Sequence, residues 1–114
     1  TDADGNVTAL HLGRVNFSDV GAAALAEALP GLWITELGLA KCQVTEVGAA
    51  ALAQGLPGSQ VTTLELADNQ INDAGAAALA EALPGSQVTI LYLGGNQITG
   101  PLLQRVREAL QAAS

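Results

Sequence analysis

Residues 61–71 read VTTLELADNQI, and 27 positions later residues 88–98 read VTILYLGGNQI. Two earlier segments, which begin at residues 7 and 34, follow the same pattern, with leucines at the fourth and sixth places as in Leu10 and Leu12. Leucines that alternate with other residues have the period of a β-strand. A fixed step of 27 residues indicates a stack of similar structural units.

The second half of each unit is rich in alanine. Residues 21–29 read GAAALAEAL, residues 48–56 read GAAALAQGL, and residues 75–83 read GAAALAEAL. Alanine favours a helix, and each string is followed by Pro-Gly, which ends a helix and supplies a turn. The polar residues expected to cap the N-termini of these helices are Ser18, Thr45, Asn72 and Thr99.

Each unit therefore reads as strand, loop, helix and turn. Strands connected through helices run parallel with right-handed crossovers. Strands pack more closely than helices, so the stack curves, with strands on the concave face and helices on the convex face. The sequence predicts a single α/β solenoid domain of four 27-residue repeats, at about 5–31, 32–58, 59–85 and 86–112.

The two quoted segments match the pattern LxxLxLxxNxI, and the chain resembles the leucine-rich repeat family over residues 5 to about 112. The helical half resembles the ribonuclease-inhibitor-like subclass, which also occurs in NOD-like receptors and Ran GTPase-activating proteins. The resemblance implies protein binding through the concave face. Repeats of that subclass usually run a residue or two longer than 27.

The asparagine of the pattern is present only in the last two repeats, as Asn69 and Asn96. Val15 and Cys42 stand at the equivalent positions of the first two repeats. Since the asparagine side chain bonds loop backbone, we expect fewer hydrogen bonds in the first two loops.

The two ends of the array differ. Residues 101–112 read PLLQRVREALQA and contain Arg105 and Arg107, which predicts a polar C-terminal cap and a natural end at or near Ser114. The short polar segment 1–6 is not a comparable cap. Three explanations stay open: upstream sequence exists before Thr1, this segment folds over the edge, or a second copy covers it by self-association. The apolar residues expected at this open N-terminal edge are Val7, Leu10, Leu12 and Phe17.

The formal charge of −7, with only four lysines and arginines, argues against binding to nucleic acid or to an anionic membrane. No apolar run is long enough to span a bilayer, and no signal-peptide pattern is present. The single cysteine, Cys42, excludes an internal disulfide and favours the cytoplasm. The tripeptides at residues 6–8 and 16–18 match the N-glycosylation pattern, which also arises by chance.

The sequence predicts no enzyme, no cofactor and no metal site. Catalysis needs convergent groups, and His11 and Cys42 occupy different columns of adjacent repeats. We interpret Cys42 as a buried thiol and His11 as a solvated histidine without a carboxylate in its own row. The diagonal pair Glu36 and Glu65 is interpreted as ordinary surface charge. The Gly94-Gly95 pair lacks the following residues of a phosphate-binding loop.

A partner-binding surface is predicted on the exposed strand positions of the concave face. These columns vary between repeats, whereas the helix surface is almost invariant. Arg14 and Lys41 are followed by Asp68, a bipolar strip, and Tyr92 offers an aromatic anchor. The predicted partner-binding residues are His11, Arg14, Glu36, Lys41, Glu65, Asp68, Ile90 and Tyr92.

A second candidate contact lies in the turn between the first two repeats. Leu32 and Trp33 stand where Ser59 and Gln60 stand in the next turn. The pair forms either an interface or a local cover over the loop beneath it, and the sequence favours neither.

The function predicted is a protein-binding scaffold, or the C-terminal fragment of a larger receptor or regulator, whose partner is a protein of unknown identity. Two alternatives stay open. One is a GTPase-activating protein of the Ran-regulator type. The other is a consensus-like or engineered repeat scaffold without a natural ligand, because three helices are nearly identical.

Overall fold

The computed structural model describes residues 3–113, so Thr1, Asp2 and Ser114 lie outside the described residues, and with them the ends of the two predicted terminal segments. Four short strands alternate with four α-helices. Two 3-10 turns, Leu29–Gly31 and Leu83–Gly85, follow the first and third helices. The strands are β1 Ala9–His11, β2 Glu36–Gly38, β3 Thr63–Glu65 and β4 Ile90–Tyr92, and the helices are α1 Ser18–Ala28, α2 Glu46–Gly55, α3 Asp73–Ala82 and α4 Gly100–Ala113.

The strands form one parallel sheet in the order β1-β2-β3-β4. Its register equals the sequence repeat, since Leu10 pairs with Leu37, Leu37 with Leu64, and Leu64 with Leu91. The helices pack side by side on the other face. The predicted α/β solenoid, with strands on the concave face and helices on the convex face, is therefore confirmed.

The core is built from the columns that the repeat holds constant. Leu37 and Leu64 from the strands and Leu52 and Leu79 from the helices are fully buried. Burial of one such leucine contributes about 1.5–3 kcal/mol, so the repeated leucines dominate the energy of the stack. At the two ends, Leu10 and Leu91 are only partly buried, since each lacks a neighbouring repeat on one side.

The helix boundaries follow capping and proline. Thr45 Oγ1 accepts a hydrogen bond from the Val47 N–H at 3.2 Å, and Asn72 Oδ1 accepts from the Gly75 N–H at 3.2 Å, as predicted. The prediction for Ser18 is wrong. Ser18 is already the first residue of α1 with φ of 61°, and Phe17 precedes it without a side-chain cap.

Helices α1 and α2 meet in backbone contact. A Cβ atom added at Gly55 would lie 2.5 Å from the carbonyl oxygen of Ala26. Gly48 is similarly crowded, because an added Cβ would lie 2.5 Å from Asp19 Oδ1 and 3.2 Å from Ala22 Cβ. Small residues at these positions therefore allow close helix approach.

An aspartate at the start of one helix binds the next repeat. Asp19 Oδ1 accepts hydrogen bonds from the N–H groups of Thr45 at 2.8 Å and Gly48 at 3.0 Å, and Oδ2 accepts from Thr45 Oγ1 at 2.6 Å. Asp73 accepts from Thr99 in the same way, at 2.7 and 2.9 Å. These carboxylates join consecutive repeats at the N-terminal ends of their helices, where an anion is favoured.

Candidate functional site

The predicted partner-binding residues lie on one continuous surface at the strands and at their carboxyl ends. His11, Glu36 and Glu65 belong to three neighbouring strands, and the register places Glu65 diagonally to Glu36, as predicted. Ile90 and Tyr92 are 44% and 53% exposed on the last strand. We call this surface the sheet face.

His11 has a carboxylate neighbour that the sequence did not reveal. Its Nε2 atom lies 3.7 Å from Glu36 Oε2, and both side chains are about half exposed. The imidazole Nδ1 lies over Gly38, 2.6 Å from where a Cβ atom there would stand. His11 was predicted to have no carboxylate in its own row. Its carboxylate neighbour, Glu36, comes from the adjacent repeat. An exposed pair of this kind contributes little to stability, so it shapes the surface rather than holding the fold.

The three residues of the bipolar strip have left-handed backbone conformations, which are strained for residues other than glycine. Arg14, Lys41 and Asp68 follow their strands at equivalent positions, with φ of 68°, 58° and 58°, and Gly95 completes the column at 74°. Their backbone N–H groups bond the next repeat, since Arg14 donates to the Ala40 carbonyl and Lys41 donates to the Ala67 carbonyl. A left-handed residue other than glycine costs about 1–2 kcal/mol. The charged residues of this strip are therefore present despite a backbone that favours glycine or asparagine.

Replacing Lys41 with asparagine is expected to raise the unfolding free energy by about 0.5–1 kcal/mol, since asparagine tolerates the left-handed region better than lysine. Lys41 is exposed, so little packing is lost. Urea unfolding of the two proteins measures the difference. Lys41→Ala, which removes the same charge without relieving the backbone, is the matched control, and equal stability of the two variants would contradict the explanation.

The asparagine ladder acts on the preceding repeat. Asn69 Oδ1 accepts from the N–H groups of Cys42 at 2.9 Å and Val44 at 3.0 Å, and its Nδ2 donates to the carbonyls of Leu39 and Leu66. Asn96 likewise accepts from the Ile71 N–H at 3.0 Å. The loop of the second repeat is therefore well bonded, which corrects the expectation of fewer hydrogen bonds there. In the first loop, the Val15 N–H donates instead to the Leu12 carbonyl, and the Phe17 N–H donates to the Val15 carbonyl.

Cys42 takes over part of the asparagine's role. The thiol is fully buried, and Sγ donates to the Leu12 carbonyl at 3.0 Å, the same kind of acceptor that Asn69 uses one repeat later. Burial raises the pKa of the Cys42 thiol, and nearby backbone hydrogen bonds at Val15 and Arg14 oppose that rise. The prediction of a buried structural thiol agrees with this environment.

Cys42 is expected to react with iodoacetamide at least roughly 100-fold more slowly in the folded protein than in urea, because the neutral, buried thiol is exposed only when the structure opens. The raised pKa adds stability that is present below the pKa of the unfolded thiol and is lost as the pH rises through the folded pKa. Mass spectrometry of the labelled chain at pH 8 measures both rates. Similar rates in the two states would contradict a buried thiol.

The structure places the two residues of the second candidate contact differently. Leu32 is half-buried and packs against the core, whereas Trp33 is 53% exposed. The equivalents of Leu32 are the buried serines Ser59 and Ser86, whose hydroxyls donate to the carbonyls of Leu56 and Leu83 at 2.8 Å. Leu32 thus replaces a hydrogen bond by apolar contact, and it leaves Trp33 as the exposed member of the pair.

Two features of the molecule were missed from the sequence. No role was predicted for Asp19 and Asp73, whose carboxylates join consecutive repeats. A groove at the C-terminal end of the array, between β4 and α4, was hidden by the prediction of a polar cap. Both could have been found by asking which side chains of one repeat face the next.

The family model described as Leucine Rich repeat matches residues 60–80. Among solved structures, the match to leiomodin-1 actin-binding site 2 has a TM-score of 0.80 at 21% sequence identity. It covers 92% of this chain and 64% of that chain. The chain has the leucine-rich repeat fold. This chain spans a little under two thirds of the leiomodin-1 chain that it matches. No curated protein sequence matches this chain.

Residues 3–113 contain no group of three or more histidine, cysteine, aspartate or glutamate side chains that could hold a metal ion. Over the same range, no helix has the length and apolar character needed to cross a bilayer. Glu36 and Glu65 on the sheet face thus belong to no such group in this part of the chain.

Proposed function

We propose that this leucine-rich repeat chain is a protein-binding module, without enzymatic activity of its own, whose sheet face holds the partner. The observation that carries the proposal is the exposure of Ile90 and Tyr92 on that face, 44% and 53%. They stand where Ala9 and His11 stand in the first repeat, so they are not needed to build a strand. Exposed aromatic and aliphatic residues at the centre of a contact are typical of protein interfaces.

Charge on the same face would orient the partner. Arg14 and Lys41 form a basic spot on a chain of net charge −7, and Asp68 follows on the next repeat. All three are exposed at equivalent positions of consecutive repeats. A partner with an acidic patch beside a basic one complements this strip, and such complementarity sets orientation and association rate.

We further infer the ribonuclease-inhibitor-like subclass from the Ala-rich helices and a cytoplasmic location from the single unpaired, buried Cys42. The leiomodin-1 structure carries an actin-binding site, so monomeric actin is the first named protein to test as a partner. The Ran-regulator alternative gains no support from the matches. The engineered-scaffold alternative predicts no specific partner and is decided by the same experiment.

Photocrosslinking from the sheet face tests the proposal. Benzoylphenylalanine replaces Tyr92 in one protein and Glu81, exposed on α3, in a second, and each is irradiated first with purified actin and then with an extract of the source cells. We expect a discrete crosslinked product from position 92 only. An excess of the unmodified chain should compete for it, and the double variant Arg14→Glu, Tyr92→Ala should compete about tenfold less well.

The control position decides the outcome. Glu81 is on the helix surface, so the same product at equal yield from position 81 would show that the sheet face is not the site. The absence of any competed product from position 92 would overturn the proposal of a binding module. Circular dichroism of the double variant checks that its fold is intact.

A further inference from the structure

The C-terminal end of the array carries an apolar groove of about 290 Å³ between β4 and α4. The equivalents of its lining residues in the third repeat are Leu64, Leu66, Ile71, Ala76, Leu79 and Leu83, and all six are fully buried. They are buried because the fourth repeat covers them. The same groove in the fourth repeat has no repeat over it in this structure. Its apolar lining is Leu91, Leu93, Ile98, Leu103, Val106 and Leu110.

The backbone at this groove includes N–H groups at the positions that bond the next strand in the earlier repeats. Between repeats, Leu66 donates its N–H to the Tyr92 carbonyl, and Asp68 donates to the Gly94 carbonyl, both at 2.8 Å. The equivalents in the last repeat are the N–H groups of Leu93 and Gly95. Within residues 3–113 the structure gives neither of them an acceptor. An added extended segment would complete the ladder.

The face of α4 that corresponds to the contact face of α1 has a different composition. The small residue Ala26 faces the next repeat, and its carbonyl oxygen lies 2.5 Å from where a Cβ atom at Gly55 would stand. Arg107 occupies the position equivalent to Ala26 in α4. Gly100 likewise stands at the position of the aspartate that binds the next repeat. The features that join α1 to α2 are therefore not repeated on α4.

Arg107 also defines the charge of the occupant. It lines the groove and is exposed, and no carboxylate of residues 3–111 lies within ion-pair distance of it. An arginine on the rim of an apolar groove favours a carboxylate, because a guanidinium pairs well with that group. The neighbouring arginine, Arg105, is already 3.7 Å from Glu81.

We propose that this C-terminal groove binds an extended peptide segment as a fifth parallel strand, with leucine-type side chains in the groove and a carboxylate that contacts Arg107. The site is separate from the sheet face, since its lining side chains point into the groove while Tyr92 points to the opposite side. It therefore goes beyond the function proposed above, and either proposal can fail without the other.

The probe is a synthetic peptide of sequence VTTLELAD, which copies residues 61–68, the segment that covers the equivalent groove two repeats earlier. It is prepared with a free C-terminal carboxylate, as a C-terminal amide, and as a control with both leucines replaced by serine. Titration into the ¹⁵N-labelled chain is followed by the amide NMR signals. We expect saturable shifts at Leu93 and Gly95, about threefold weaker binding of the amide form, and no binding of the serine peptide.

Arg107→Gln supplies the matched variant, because its exposed side chain is outside the core and the fold should be unchanged. In this variant the free acid and the amide should bind equally. Shifts at the N-terminal strand instead of the groove, or no saturable shift, would overturn the proposal. Shifts at Leu93 and Gly95 that grow with protein concentration in the absence of peptide would show that a second copy fills the groove, which would also overturn it.

Discussion

Replacing Asn69 with alanine is expected to lower the free energy of unfolding by about 4 kcal/mol. The side chain is 6% exposed and accepts from two buried N–H groups, of Cys42 and Val44. It also donates to the carbonyls of Leu39 and Leu66. Each buried polar group left without a partner costs about 1–3 kcal/mol, and alanine can replace none of these bonds. Urea unfolding followed by circular dichroism measures the loss.

Asn96→Ala is the matched control for this prediction. Asn96 occupies the same position one repeat later, but it is half-buried, and only the Ile71 N–H donates to its Oδ1 among the described residues. Water can reach part of this site, so we expect a loss of about 1–2 kcal/mol. Equal losses for the two variants would show that the number of buried bonds does not determine the effect.

Replacing Gly55 with alanine is expected to destabilise the protein by about 1–3 kcal/mol, against the ordinary preference of a helix. Alanine in a helix is favoured over glycine by about 1 kcal/mol. Here the new Cβ would lie 2.5 Å from the Ala26 carbonyl oxygen and 3.1 Å from its Cα atom, so α1 and α2 must separate. Overpacking of this kind typically costs more than the helix preference returns. Thermal unfolding gives the sign directly.

Gln54→Ala, at the exposed neighbouring position of α2, separates packing from helix preference. It changes little in the propensity of the helix and touches no neighbouring backbone, so the melting temperature should stay nearly constant. A Gly55→Ala variant that melts at a higher temperature than the unmodified protein would mean that the two helices move apart at no cost.

Much of the sheet face could be predicted because the repeat is regular. Since leucines alternate with other residues along each strand, the residue between Leu91 and Leu93 must point away from the core, and Tyr92 is indeed exposed. The contact of His11 with Glu36 was missed, because it joins two repeats and depends on the shared register. Which of these exposed residues binds a partner stays a prediction.

The first repeat shows why local rules fail at particular positions. Ser18 has the residue type of a helix cap, yet it is the first residue of α1, in a left-handed conformation with φ of 61°, and Phe17 precedes the helix. The first loop holds Val15 in place of asparagine, and Val15 is 49% exposed. Cys42 from the second repeat bonds to this loop at Leu12 instead. The loop thus depends on its neighbour for a conformation that its own residues do not specify.

The amino-acid sequence by itself determined the solenoid, its 27-residue period, the leucine core and the exposed columns of the sheet face. These follow from periodicity, because a residue type that recurs with the repeat occupies the same environment in each unit. Only the tertiary structure decided which repeat each polar side chain serves. Asn69 bonds the loop before it, Asp19 bonds the start of the helix after it, and Arg107 lines the C-terminal groove. Contacts between units depend on distances across the stack, and those distances are set by the packing of all four repeats together.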